Sequence, residues 1–528
     1  MNRQVLVFVA IFFSLNSTSS QELNLIWENT YGGNGKETLY SVQPNGNGGY
    51  IMGGYTTSGL NGDISTPSFG NSDFLVINVN STGQIIWDKR FGMIGSESLN
   101  EIVPLPKGGF IIGGITNMNT YTEINDRLGI EKFLVYKISA EGDIIWQKML
   151  GGSGDDELQS IQLSPDGGVI IGGRSNSVDG DVQSRSNYTF EYWDFDFWVV
   201  KLNFDGEIVW ENSFGKSDSW DGLWHILSVA DGYLLGGATA RDKNGNSTSL
   251  NAPLKMSLIK IDFEGNFIWE KIFGGSNNDY LTQIVQSDDG GYLLVGETMS
   301  IDEDVQSRKD KNIIASDDKD CWVVKVDNNG EFMWEQYYGG FSYEITFSAS
   351  KINNGGYTVV GGTRSSALNG LDQGDFDFWV FNIDNNGQMK WDQRFGGSNS
   401  ESATSIFQIN ETEYLLGGYT RSSDGDVQSS PNGGQDYWML KADLTRSLSS
   451  ENFDLLKFDL YPNPVLNEFT IRLENDIKLI NVNIYNNLGQ LIISKNKEII
   501  ETTQLSKGIY YVEVITNQGK STKKIIIE

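Results

Sequence analysis

Residues 142–175 read GDIIWQKMLGGSGDDELQSIQLSPDGGVIIGGRS, and this stretch decides the fold. An apolar, β-prone run surrounds Trp146. Two further runs follow, joined at Asp166-Gly167-Gly168, where glycine supplies the positive φ that a tight hairpin needs. After a long polar loop comes DFWVVKLNFDGEIVW at 196–210, which is a strand, a turn at Asp205-Gly206 and the next tryptophan strand. The unit therefore holds four strands and shows no helical period. Its phrase, approximately I-W-E-x-x-F-G-G-S-x-x-D/E, occurs seven times, anchored at Trp27, Trp87, Trp146, Trp210, Trp269, Trp334 and Trp391. The spacings are 60, 59, 64, 59, 65 and 57 residues. A recurring period of this size marks a modular array, not several unrelated domains.

Seven units of four strands predict an all-β chain built as a seven-bladed β-propeller, whose radial repetition leaves only short sheet edges. The ring is expected to close through its N-terminal strand. LNLIWENTYGG (23–33) has no three strands before it, and the last repeat (TSIFQIN, EYLLGGYT, DYWMLKAD) lacks a tryptophan strand. The seven anchor tryptophans are expected to be blade-to-blade core anchors. The phrase K-L-D-x-x-G-x-I-x-W resembles the tryptophan-docking motif of quinoprotein-type propellers in strand geometry. No quinone-binding constellation accompanies it, so no such cofactor is expected.

Residues 1–20 read as a secretory signal peptide, with Arg3, an apolar stretch from Val5 to Leu15, and small residues Thr18 and Ser20 before Gln21. The apolar stretch is too short to span a bilayer. Cys321 is the single cysteine, so no intramolecular disulfide forms, and within DCWVVK it reads as a small core residue. The propeller is assigned to 21–444, a polar linker to 445–453 and a C-terminal domain to 454–528. That last region carries Tyr461-Pro462-Asn463-Pro464, IYNNLGQLI with Gly489, L-x-x-G-I-Y-Y-V-E-V with Gly508 and Tyr510, and the closing pair Lys523-Lys524. It resembles the type A C-terminal sorting domain of type IX secretion system cargo. The resemblance implies a small Ig-like β-sandwich, read by the secretion machinery and cut by a sortase-like protease. The mature protein would then be released outside the cell or attached to the outer-membrane surface. Alternating apolar strands broken by turn residues support a sandwich independently.

The chain carries a net charge of −30. The nine acids and nine bases of 454–528 cancel and Arg3 is the only charge in 1–20, so 21–453 carry −31. So acidic a surface argues against nucleic acid and anionic membranes as partners. No transmembrane segment is expected, and the chain is read as a monomer.

A single histidine, His225, removes most catalytic vocabularies, including a Ser-His-Asp triad and a histidine zinc site. Carboxylates remain. Ten residues after six of the anchor tryptophans stand Glu37, Glu97, Asp156, Asp279, Glu344 and Glu401; in the fourth linker that place holds Trp220, followed by Asp221. These acids are expected near the central channel. They would serve either as a metal site or, by the structural reading, as acceptors for backbone N–H groups of a neighbouring loop. A second element, D-G-D-V-Q-S, recurs at 179–184 and 424–429, with DEDVQS at 302–307 and NGDIST at 61–66. Alternate acids can bind Ca²⁺ through oxygen, yet this spacing lacks the Gly and Glu of a full calcium loop, and Asx-type turns explain it equally. No cofactor other than Ca²⁺ is suggested.

Strand parity puts the post-tryptophan linkers and the D-G-D loops on one end of the ring, where a ligand would bind. There the third repeat's loop adds Tyr188, Phe190, Tyr192 and Trp193, and the next linker adds Trp220 and Trp224. With Asp221 and neighbouring acids these could form a sugar platform, since sugar faces stack on rings and carboxylates accept hydroxyl hydrogens. Alternatively the loop buries its own aromatics. The sequence thus reads as a secreted or cell-surface binding or adhesion module, non-enzymatic, with a polysaccharide the leading ligand. The alternatives are a glycan-active hydrolase or lyase using loop carboxylates and a protein-interaction scaffold.

Overall fold

Strands whose residues are apolar on both sides need a partner sheet on each face. The third strand of each repeat has that character: Asp73–Val79, Asp196–Leu202 and Asp320–Val326 are buried at every position. A computed structural model shows how the chain supplies those partners. It describes residues 21–117, 131–185, 193–217, 219–246, 252–309, 311, 318–340, 342–352, 355–365, 376–429, 431–446, 458–473, 477–486, 490–516 and 519–528. The chain forms two compact units, Gln21–Thr445 and one holding Arg446–Glu528. Among the described residues no helix is long and apolar enough to cross a membrane.

Among its described residues the first unit holds seven four-stranded antiparallel sheets, numbered here from the N-terminus. Sheet three, for example, runs in order Asp156–Leu163, Val169–Ser175, Asp196–Leu202 and Ile208–Phe214. Sheet seven takes Glu401–Gln408, Glu413–Thr420 and Asp436–Arg446 from the end of the unit and Gln21–Tyr31 from its start. The first strands of successive sheets pack on one another, and that of sheet seven packs on that of sheet one. The core is correspondingly divided. One apolar cluster lies between each adjacent pair of sheets, including sheets seven and one, where Tyr437 and Met439 meet Leu39 and Met52.

Each first strand carries a β-bulge near its middle, at Leu39/Ser41 in sheet one and Leu223/His225 in sheet four. The side chain after the bulge reaches the next sheet's backbone. Ser41 Oγ accepts the Ile102 N–H at 3.2 Å, Ser160 Oγ that of Ile226 at 3.1 Å, Gln283 Oε1 that of Ala349 at 2.8 Å, and Ser405 Oγ that of Val42 at 3.2 Å. His225 is one of this series: its Nδ1 faces the Ile284 N–H at 3.4 Å, and desolvation pushes its pKa down to about 4, which keeps the ring a neutral acceptor.

The anchor tryptophans join sheets but are not the deepest residues. Trp198, Trp322 and Trp438, on third strands, are fully buried, whereas Trp27, Trp87, Trp146, Trp210, Trp269 and Trp334 are half-buried on outer strands. Each of these six lies over the turn glycine of the following sheet: Trp210 over Gly265, with its indole N–H on the Phe263 carbonyl at 3.1 Å. A Cβ on Gly265 (φ +84°) would stand 3.0 Å from that indole. Gly265→Ala is therefore expected to cost about 1–2 kcal/mol in a denaturation midpoint, combining strain with a displaced tryptophan.

The C-terminal unit packs a three-stranded sheet (Phe458–Tyr461, Glu468–Leu473, Ile499–Glu501) on a four-stranded one (Leu491–Lys495, Leu479–Tyr485, Gly508–Thr516, Gly519–Ile527). Phe458, Phe469, Val482, Ile484, Val512 and Ile525 from both sheets form one core. The side chain of Asn463 ties the sheets at one edge: its Nδ2 donates to the Lys524 carbonyl at 3.1 Å and its Oδ1 accepts the Ile526 N–H at 2.9 Å. Tyr461 is exposed, and the Tyr510 hydroxyl donates to the Ser506 carbonyl at 3.0 Å. Lys523 pairs with Asp459 at 3.1 Å over the Phe458 ring. Pro462 and Pro464 flank Asn463, Gly508 starts the strand Gly508–Thr516 of the larger sheet, and Gly489 lies outside the described residues.

Candidate functional site

The repeated acids act on the backbone beside them. Each linker between sheets presents successive N–H groups, and carboxylates meet them. Glu37 accepts the Gly33 N–H at 2.8 Å and the hydroxyls of Thr56 and Ser58 at 2.6 Å each. Glu97, Asp279, Glu344 and Glu401 repeat this with Met93/Thr116, Gly275/Thr298/Ser300, Gly340/Thr363 and Gly397/Thr420. Asp156 adds Lys132 at 3.1 Å to the same pattern, and Asp221 is held by Arg241 at 2.9 Å. All seven are buried. The D-G-D acids cap the same linkers. Asp181 accepts the Gly151 N–H and Asp179 the Ser153 N–H, at 3.1 and 2.6 Å; Asp304/Asp302 and Asp426/Asp424 do likewise. Among the described residues no group of three or more His, Cys, Asp or Glu is arranged to hold a metal.

Two further roles escaped the sequence reading. An acid follows six of the seven anchor tryptophans (Gln147 follows Trp146), and beside the D-G-D loops it is a clamp: Glu335 accepts both the N–H and the hydroxyl of Ser307 at 2.7 Å and the Trp322 indole N–H at 2.9 Å. Glu28 and Glu211 do the same with Ser429/Trp438 and Ser184/Trp198. The Asp that starts most third strands faces the next sheet's linker acid. A Cβ on Gly32 would touch Asp436 and Glu37 together; Gly92 sits likewise against Asp73 and Glu97, Gly339 against Asp320 and Glu344, and Gly396 against Asp377 and Glu401. In two interfaces a lysine, Lys132 or Lys255, stands where the Asp would be, and the facing acid is the shorter Asp156 or Asp279. The sequence signal was the repeated D-[FCY]-[WL] start with its two lysine exceptions.

The aromatic residues are partly brought together. Trp220 and Trp224 lie with ring centroids 5.7 Å apart, and Trp224 meets Tyr280 edge-on at 6.1 Å. The Arg174 guanidinium covers Trp220 at 5.2 Å and Phe195 at 5.1 Å, while Glu157 holds it through both carboxylate oxygens at 2.6 Å. Lys319, paired with Glu297, stands 6.0 Å from Tyr280 and 4.5 Å from Tyr343, which meets Phe376 at 5.9 Å. The result is a strip of half-exposed rings and cations crossing sheets three to six at the linker end. Asp221 is not on its surface, since it is buried under Arg241. Trp193 is 64% exposed, and Tyr188 and Tyr192 lie outside the described residues.

Comparison with known proteins bears on the C-terminal unit. Residues 459–528 match the secretion system C-terminal sorting domain. The chain is thus a repeat protein of β-propeller type that carries a type IX sorting tail for export to the cell surface or beyond. Over 204 residues it is 25% identical to the regulatory protein FlaEY of Caulobacter vibrioides, a match spanning 36% of this chain and 21% of that protein. Similar solved structures include the Neurospora crassa Pan2 WD40 domain (TM-score 0.42, 11% identity, 77% of this chain and 89% of that one). Another is YCF48 bound to D1 peptide (TM-score 0.40, 8% identity, 82% and 100%).

Proposed function

We propose that this chain is an exported, seven-bladed β-propeller that binds glycans without turning them over, with an Ig-like sorting domain at 454–528 and a signal peptide at 1–20. The observation that supports it is the strip Trp220–Trp224–Tyr280–Tyr343. Rings half-exposed on one end of a rigid sheet array offer the flat apolar surface that sugar faces stack on, and the cations between them donate to hydroxyls. Carboxylate catalysis has less to draw on, because the repeated acids lie buried under the linkers and accept several hydrogen bonds each. The test is binding of the full-length protein to immobilised neutral and acidic polysaccharides. Trp220→Ala is expected to weaken binding to a neutral glycan about tenfold, with a melting temperature close to that of the parent. Equal binding by the variant would move the ligand elsewhere, and release of reducing sugar would return the hydrolase reading.

A further inference from the structure

In the repeats with a D-G-D-type loop, one apolar side chain plugs the flank of the outer strand. Ile64, Val182, Val305 and Val427 are all buried, and the serine after the next residue, or directly after Ile64, locks onto the clamp acid. Sheet four has no such loop. Its residues 240–254 read ARDKNGNSTSLNAPL, and Arg241 takes the clamp acid Glu270 through two bonds of 2.7 Å. Crevices of about 480 and 360 Å³ flank the outer strand Phe267–Phe273, and both reach Glu270.

Two substitutions coincide with the absence of such a plug among the described residues of sheet four. Two residues before the anchor tryptophan the other repeats carry Leu25, Ile85, Ile144, Ile208 or Met389; here they are Phe267 and Phe332, 56% and 47% exposed, one at each crevice. At the second linker position, which is glycine or Met93 elsewhere, stands Lys216. Its ammonium donates to the Gly245 carbonyl, with the exposed Asp242 carboxylate within electrostatic reach, whereas Lys243 pairs with Glu303 and Asp304, and Lys271 with Glu331. An ammonium whose hydrogen bond goes to a carbonyl can still donate to an anionic ligand.

We propose that the larger crevice is a second ligand site, separate from the aromatic strip, and that it takes an anionic sugar unit. The Phe267 ring lies under the sugar's apolar face, Lys216 meets its carboxylate or sulfate, and Asn212, Ser213 and Asn266 offer amide and hydroxyl groups to its hydroxyls. The test uses the full-length protein with oligogalacturonate and a sulfated chondroitin oligosaccharide as probes. It compares Lys216→Ala, Phe267→Ile and Trp220→Ala; isoleucine stands at that place in the three preceding tryptophan strands (Ile85, Ile144 and Ile208), so folding is retained. Binding of at least one probe, weakened about tenfold by Lys216→Ala and by Phe267→Ile, reduced by salt and indifferent to Trp220→Ala, is the expected result. No binding of either probe, or binding that only Trp220→Ala weakens, overturns the site. Failure of the strip would show separately, as neutral-glycan binding that Trp220→Ala leaves intact.

Discussion

Arg308→Met is expected to destabilise the ring by about 3–5 kcal/mol, read as a shift in denaturation midpoint at constant slope. Arg308 is fully buried in the D-G-D-type loop of sheet five. Its guanidinium donates to the Asp318 carboxylate at 2.9 Å, to the Asp318 and Ser300 carbonyls at 2.8 and 3.2 Å, and to Asp320. Asp320 in turn faces Glu344 of the next sheet. Removing the cation leaves buried carboxylates with only Lys311, which lies 2.6 Å from each aspartate, to balance them. Methionine fills similar volume, so the loss reports charge, not a cavity. Adding Asp320→Asn is expected to recover part of the stability. The exposed pair Lys148–Glu207 is the control, since Lys148→Met should change stability by less than about 1 kcal/mol. An Arg308→Met midpoint equal to that control would show that the buried network is dispensable.

The second large effect is with pH. At three sheet interfaces one carboxylate is pushed upward, first by burial and then by a facing acid: Asp436, with Glu37 opposite, to about 7, Glu344, with Asp320 opposite, to about 7, and Asp196, near Asp221 and Asp194, to about 7. Arg185 and Arg241 oppose the rise at Asp196. A carboxyl whose folded pKa exceeds its unfolded one binds more protons in the folded state between the two values. Its stabilising share is complete below about 4 and is lost as pH rises through 7. The melting temperature is therefore expected to fall by roughly 5 °C between pH 5.5 and pH 8. Asp436→Asn should flatten that slope. Its Oδ1 is buried and accepts no hydrogen bond, while backbone N–H groups reach the other oxygen. An amide nitrogen there can donate to Glu37 permanently. A melting temperature that rises from pH 5.5 to 8 would contradict the shared-proton arrangement.

Much of this architecture is legible in the amino-acid sequence. The period of the tryptophan phrase set the four-strand unit, and the lone strand before Gly32 pointed to the incomplete last sheet. Strand alternation put the linkers and the D-G-D loops on one end, and their hydrogen bonds join them there. What stayed hidden were roles that depend on the neighbouring sheet. Glu335 is merely the residue after a tryptophan until Ser307 and Trp322 are seen to converge on it. Asp221 looked like a surface carboxylate beside two indoles, yet its register with the other linker acids buries it. The anchor tryptophans looked like core residues because they recur, although the deepest indoles belong to the third strands. Trp220 and Trp224 were legible as unusual; their link through Tyr280 to the fifth and sixth sheets was not, because those rings stand over fifty residues away in sequence.

The sheet assembled from both ends of the first unit also has a mechanical meaning. A pull transmitted from the C-terminal unit enters at Arg446, the end of an eleven-residue strand that lies between Glu413–Thr420 and Gln21–Tyr31. Tension there loads two ladders at once, and along the strand their bonds resist together instead of opening one at a time. The seam of the ring thus doubles as its tether point: a protein held to a cell by its tail would carry shear at the place where its two ends are already stitched.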